Sequence, residues 1–359
     1  MYTFVKHTRL VRFLREKLFS KRFRRYCEVR LGIATRESRN RRNKLLAGTA
    51  TWKDLRNYTK FARYGLPHND YERIIMSYDP EVCFDDVVDA RFMGKGEGLY
   101  SLNSYRRVIL KIGTDRVHCF EKVYLRDSAD YIKMAWFYDE IYPQLQNVLE
   151  IPSRILTRGD SLAVVYFQWF DDLATPNRKD IVEAYLHVSD LLDKVHVKKE
   201  HQREKVISDF RINTFFSTKP KKARAWLKNN EGVQAIVQLD DICNRIASES
   251  PDRSGFVHGD LNKANLTKKG LIDFDYCGFH PKAFEHAAFV TRFFKPESMN
   301  GLYKVFESIN ADPANHDEKL KLLFFCFVFY LRKRRRPNDR FLHLLWKELS
   351  EHHLIVQNA

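Results

Sequence analysis

The sequence predicts an α+β protein in two lobes, carried behind a basic helical arm. Three observations predict it. Strand-length segments separated by Gly- and Asp-containing turns fill the stretch from Asp89 to Phe167. Helical periodicity takes over at Lys179 and continues towards the end of the chain. A length of 359 residues suits about two domains with a sizeable core. The expected divisions are 1–86 for the extension, 87–170 for the smaller lobe and 171–359 for the larger.

The formal net charge of +16 is unevenly spread. Residues 1–60 carry 18 Lys and Arg against 4 Asp and Glu, which leaves only +2 for the rest of the chain. Such asymmetry points to a polyanionic partner for the arm. Within it Leu10, Leu14 and Leu18 form a helical stripe, with Arg9, Arg12, Lys17, Lys21, Arg22, Arg24 and Arg25 on the remaining face. Two readings of this helix stay open: it lies on an anionic membrane surface or glycolipid, with residues 1–44 as the contact, or it docks its leucines on the body. Nucleic acid ranks third, because no binding module presents the basic residues. A second helical pattern from Leu45 to Tyr71 is punctuated by Gly65 and Pro67.

Six cysteines lie scattered without a CxxC pair, which predicts a reducing, cytosolic compartment and no zinc site. The opening residues lack the pattern of a secretory signal. The longest apolar run, Leu322–Leu331, spans ten residues, against the about 20 that cross a bilayer. A peripheral position on the inner face of the membrane is therefore the expected form of any membrane association.

In the smaller lobe, Asp89–Met93 reads as a first strand, Tyr105–Ile112 as a second and Val117–Leu125 as a third, the last two joined by a tight turn at Gly113, Thr114 and Asp115. Between the first two, Gly94, Gly96 and Gly98 form a turn whose backbone could approach phosphate closely, since no Cβ intervenes. A helix is expected from about Ala129 to Tyr142. Leu162–Phe167, a continuous apolar run rich in β-branched and aromatic residues, reads as a buried strand.

The larger lobe begins with a helix over Lys179–Val197, on which Ile181, Tyr185, Val188, Leu191, Leu192 and Val195 recur at helical spacing. His196 near its end reads as a packed or capping residue. Residues 200–250 look helical, with Trp226, Val233, Ile236 and Leu239 as core contacts. The final pattern, Phe341, Leu342, Leu344, Leu345, Trp346 and Leu349, is an amphipathic closing helix.

The chemistry is concentrated in FVHGDLNKANLTKKGLIDFDYCG, residues 256–278. An acid (Asp260), an amide (Asn265) and a second acid (Asp273) follow short apolar strands. One carboxylate to take up a hydroxyl proton, plus hard oxygen ligands for a metal bridging ATP phosphates, is what magnesium-assisted phosphoryl transfer needs. A turn merely rich in Asp and Asn is the bland reading of any one of these residues.

On HGDLNKAN followed by IDFD, the chain resembles the protein-kinase-like superfamily, within it the aminoglycoside and choline phosphotransferase branch. The resemblance implies an ATP- and Mg2+-dependent kinase with Asp260 as catalytic aspartate, Asn265 and Asp273 as metal ligands, and His258 as a structural residue. It implies a lysine on the ATP phosphates, for which Lys122 is preferred over Lys111, with Glu140, eighteen residues on, as ion-pair partner. A register one turn earlier would put Met134 at that partner position. Gly94, Gly96 and Gly98 would cover the nucleotide, and backbone groups from Gln168 to Phe170 would hold adenine. Glu285 and His286 lie where relatives brace the catalytic loop.

The chain also departs from protein kinases. Asn262 replaces the catalytic-loop lysine, Asp275 stands where the DFG glycine would, and no APE-like segment follows. Asp275 is either a further ligand or a turn residue. A peptide platform is absent, so a small-molecule or sugar acceptor is expected, with a lipopolysaccharide precursor favoured because of the basic arm. An aminoglycoside- or choline-type acceptor is the rival. A catalytically inactive scaffold at a membrane is the alternative of another class.

Overall fold

The structure is a computed structural model. It describes residues 68–92, 105–170, 176–177, 180–196, 220–248, 255–261, 265–268, 270–274, 277–332 and 338–358, and in addition Asn40, Asn43, Lys44, Ala47 and Phe216. The basic arm, the turn bearing Gly94, Gly96 and Gly98, Asn262 and Asp275 lie outside the described residues. The chain divides into two compact units, Met1–Tyr131 with Pro152–Phe170, and Ile132–Ile151 with Asp171–Ala359. The architecture is α+β.

The first unit is built on an antiparallel sheet of order β1-β2-β3-β5-β4. Its strands are β1 (Val87–Phe92), β2 (Tyr105–Ile112), β3 (Asp115–Leu125), β4 (Arg154–Arg158) and β5 (Leu162–Gln168). The expected strands are all present, and the β2–β3 hairpin closes in register from Tyr105 opposite Lys122 to Ile112 opposite Asp115. One face of the sheet carries Val108, Leu110, Cys119, Val123, Val164 and Tyr166, all buried.

Helix α1 (His68–Tyr78) covers that face with Tyr71, Ile74 and Ile75. Val82 and Phe84 join the same core, so residues before Val87 belong to the packing of the sheet. A buried charge network reinforces the attachment. Arg106 is fully buried on β2, and its Nε and Nη2 donate to the two Glu121 carboxylate oxygens, each at 2.8 Å. Its Nη1 donates to Glu72 at 2.6 Å, and Tyr71 Oη donates to Glu121 at 2.9 Å. The guanidinium also lies 4.4 Å from the Tyr71 ring centroid. Burial penalises the cation, but Glu121 more than compensates and raises the Arg106 pKa above its ordinary value.

Asp79, just past α1, ties the turn before β5. Its Oδ2 accepts N–H groups from Asp160, Ser161 and Leu162 at 2.7–2.8 Å, and Oδ1 accepts that of Glu81. Burial alone would raise its pKa; the four donors outweigh burial and hold it below the usual value.

The second unit is mainly helical. Helix α2 (Ala129–Trp136), which starts in the first unit, runs through a π-helical turn, Phe137–Ile141, into the short α3 (Tyr142–Leu145). Then come α4 (Ile181–Asp193), α5 (Lys221–Asn230), α6 (Val233–Ala247), the two-stranded β6 (Gly255–Val257) and β7 (Gly278–His280), α7 (Lys282–Phe293), α8 (Met299–Ser308), α9 (His316–Arg332) and α10 (Asp339–Asn358). Helix α9 buries the run from Leu322 to Val328 on all sides, as its continuous apolar sequence requires. Among the described residues no helix is long and apolar enough to cross a membrane.

One expected core contact is corrected. Val233 is 69% exposed, and α6 buries Ala235, Leu239, Ile242, Cys243 and Ile246 instead. Val233 lies outside the i, i+4, i+7, i+8 set that faces the core, while the partly buried Ile236 packs against that core as expected.

Candidate active site

The candidate site is a hydrogen-bonded frame within the second unit. Strand β6 delivers His258, Gly259 and Asp260, and β7 begins just after the Asp273 segment. The two segments are latched by His258, whose Nε2 donates to the Ile272 carbonyl at 2.9 Å. Its Nδ1 accepts the Asp260 N–H at 3.3 Å. These two bonds together require the neutral tautomer with the proton on Nε2.

Gly259 has φ +77°, a backbone conformation that a Cβ would penalise. Its N–H donates to Glu285 Oε2 on α7 at 2.9 Å. Glu285 is 1% exposed, and burial pushes its carboxyl up to about 7 despite the nearby Lys282 and the Gly259 and His258 N–H groups. The neighbouring His286 pairs with Tyr185 Oη at 2.8 Å, and burial lowers its pKa to about 3. The brace to the loop is thus Glu285, while His286 joins α7 to α4.

Asn265 is buried, and its Nδ2 donates to the Asp260 carbonyl at 2.9 Å, which turns the amide oxygen to the opposite side. A minimal hairpin leads from it to Asp273. Ile272 N–H donates to the Asn265 carbonyl, Thr267 N–H to the Gly270 carbonyl, and Gly270 N–H to Thr267 Oγ1. Glycine is required at position 270 because a Cβ there would lie 2.0 Å from the Glu150 carbonyl oxygen. The short link between Asn265 and Asp273 therefore folds against the backbone at Glu150.

Asp273 has φ +67°, in the left-handed region that non-glycine residues seldom occupy. Its neighbours hold it there. Ile272 is fixed on both sides by His258 and Asn265, and the Phe274 ring stacks on Phe137 at 4.0 Å between centroids. Phe274 also lies 4.7 Å from the His258 ring. Asp273 is thus held in this conformation at the end of a short hairpin.

The Asp260 carboxylate faces a cation. Arg292 Nη2 donates to Asp260 Oδ1 at 3.2 Å. Sequence reasoning does not single out Arg292, because an arginine in the last turn of a helix is commonplace on macrodipole grounds.

Oxygen donors from Asn265 and Asp273 suit magnesium, which is held by one or two carboxylates with phosphates and water rather than by an all-protein cage. Among the described residues no group of three or more His, Cys, Asp or Glu forms a metal cluster.

In the first unit, Lys122 lies buried in the middle of β3, between Tyr105 of β2 and Val165 of β5. Its ammonium is 5.8 and 6.0 Å from the ring centroids of Phe120 and Phe167. Lys111 is exposed near the hairpin end. The Gln168 N–H donates to Ser153 O and the Trp169 N–H to His118 O, which leaves carbonyl oxygens and the half-buried Phe170 as the backbone groups of this segment to consider for adenine. In the second unit, Glu140 is half-buried in the π-helical turn and Met134 is buried. His196 is exposed, and its backbone N–H and carbonyl are clasped by Gln144.

Neither a family model nor any curated protein matches the sequence. Among solved structures the chain is similar to the aminoglycoside phosphotransferase APH(2'')-Ib bound to ADP, with 14% identity over 75% of this chain and 94% of that one, at a TM-score of 0.42. It is similar to the Plasmodium vivax ethanolamine kinase, with 13% identity over 91% of this chain and 95% of that one, also at 0.42. A spectinomycin phosphotransferase, APH(9)-Ia, in complex with ADP and spectinomycin matches with 11% identity over 76% and 94% of the two chains, at 0.40.

Proposed function

We propose that the protein is an ATP- and magnesium-dependent phosphotransferase whose acceptor is a hydroxyl of a small molecule or sugar. The observation that carries this reading is the single frame in which His258 and Glu285 hold the Asp260 loop while Asn265 and the strained Asp273 are fixed to it. In this reading Asp260 orients the acceptor hydroxyl and takes its proton as the oxygen attacks the γ-phosphorus; the bond to the β,γ-bridging oxygen breaks and ADP leaves. Asn265 Oδ1 and the Asp273 carboxylate would hold magnesium, which supplies charge neutralisation across the phosphate oxygens when bound. Lys122, already buried at the centre of β3, is the residue assigned to the nucleotide phosphates.

For the acceptor we favour a sugar hydroxyl on a lipid-linked glycan such as a lipopolysaccharide precursor, because the charge of residues 1–44 suits an anionic membrane surface.

A thermal-shift titration with ATP and Mg2+ on wild type and Asp273→Ala tests the nucleotide site. Magnesium-dependent stabilisation lost in the variant is expected; no shift in either folded protein would overturn the phosphotransferase reading in favour of an inactive scaffold. Asp260→Ala should reduce turnover by about 10²- to 10⁴-fold while sparing the fold, as expected of a positioned base.

A further inference from the structure

We infer that Arg292 selects the acceptor by charge, and that the acceptor carries a carboxylate or phosphate beside the hydroxyl that is phosphorylated. The inference rests on the phosphotransferase reading and names the substrate class of that same site. Glu285 and Arg292 are seven residues apart on α7, and so share one face of the helix. Glu285, buried, grips the Gly259 N–H; two turns on, Arg292 reaches the Asp260 carboxylate itself. The helix that positions the loop thus also places a cation on the reacting group.

Stability does not explain this pair. Its side chains are 50% and 21% exposed, and exposed ion pairs contribute little to folding. Location explains it better. An acceptor hydroxyl must come within hydrogen-bond reach of Asp260, so any substituent on the adjacent carbon arrives within a few ångströms of the guanidinium. Arginine presents a planar fork of donors matched to carboxylate and phosphate, and its exposed half is open to take one. An ammonium group in the same place would meet a like charge.

During transfer the acceptor O–P bond forms, the bond to the bridging oxygen breaks, the proton passes to Asp260, and ADP leaves. Arg292 takes no part in the bond changes. It holds the anionic neighbour and thereby fixes which hydroxyl faces Asp260.

The test uses the full chain with ATP, Mg2+ and four acceptors: glucose, glucosamine with its amine beside a hydroxyl, and gluconate and glucose-1-phosphate, each with its anion beside the C2 hydroxyl. For each, kcat and KM are measured in wild type, Arg292→Gln, Arg292→Lys and Asp260→Ala. In wild type the anionic sugars should exceed glucose in kcat/KM, and glucosamine should be poorest. Arg292→Gln should lower the anionic-to-neutral ratio by about ten- to a hundredfold, mainly through KM, as for loss of a hydrogen bond to a charged group. Arg292→Lys should restore part of it. Comparing gluconate with glucose-1-phosphate distinguishes a carboxylate from a phosphate neighbour. An unchanged ratio in Arg292→Gln, even with lower rates throughout, overturns the inference, as does a wild-type preference for glucosamine or indifference to both anionic sugars while Asp260-dependent ATP turnover continues. Absence of any Asp260-dependent turnover refutes the phosphotransferase reading, and the role of Arg292 with it.

Discussion

Replacing Glu285 with glutamine should change the pH dependence of stability in a defined direction. In the folded chain this carboxyl retains its proton up to about pH 7, against an ordinary value of 4.5 in the unfolded chain. Between those values the folded state binds more protons than the unfolded state, so stability falls as pH rises. The contribution is fully present below about pH 4.5 and lost above about pH 7. The gap between the two corresponds to about 3 kcal/mol. Glutamine has no such titration, yet its amide oxygen can still accept the Gly259 N–H. The variant should therefore match wild type near pH 5 and gain about 3 kcal/mol relative to it by pH 8. Urea unfolding followed by tryptophan fluorescence, to which the buried Trp136, Trp226 and Trp346 of this unit contribute, reads this difference. Taking the difference between two chains that share every other titrating group isolates position 285. Parallel stability profiles would mean that Glu285 is ionised in the fold as readily as in water, and would refute the argument from burial.

The Arg106–Glu121 pair should behave as a buried ion pair: Glu121→Ala or Arg106→Ala alone should cost about 3–5 kcal/mol, while a double replacement by apolar residues of similar volume recovers much of it, read as a double-mutant cycle in urea. Asp79→Asn should flatten the acid limb of stability. Its depressed pKa contributes stability above the unfolded value of 3.8 that is lost as pH falls through the folded value, so the wild-type and variant curves should converge at low pH. Gly270→Ala should destabilise the second unit by about 1–3 kcal/mol, because its Cβ would press on the backbone at Glu150, and should weaken magnesium-dependent stabilisation by ATP as the Asn265–Asp273 hairpin shifts. Thermal shifts with and without nucleotide check both effects.

How much could be read from the sequence depended on whether an interaction is local. The β2–β3 hairpin was legible because a two-residue connection and alternating apolar positions are both encoded within about 20 residues. The frame around Asp260 was legible as residue types in order, since its bonds run over the 15 residues from His258 to Ile272. Glu121 and Arg106 were not. A charge in an alternating strand reads as a solvent-facing residue, and only the covering helix α1, more than 30 residues earlier, makes that face interior. The apolar residues of α1 escaped the same local reading, because the helical pattern from Leu45 is ended by Gly65 and Pro67, and α1 begins just beyond them at His68. The π-helical turn defeats spacing arguments in a different way. Glu140 lies inside the wider turn Phe137–Ile141, so its direction differs from the one that α-helical counting would give.

Arg292 shows where the limit matters for chemistry. Its role cannot be read from its neighbours, which describe an ordinary helix end. It emerges only once Glu285, seven residues earlier on the same helix, is seen to hold the Gly259 N–H. That bond, with the buried apolar residues of α7 and the His286–Tyr185 contact, fixes the rotation of α7 against the loop, and in that rotation Arg292, two turns past Glu285, arrives at Asp260. A brace and a specificity residue are thus coupled by helical periodicity. A substitution that loosened the Glu285 contact would displace Arg292 as well, and should erode acceptor selectivity in proportion to the loss of the brace.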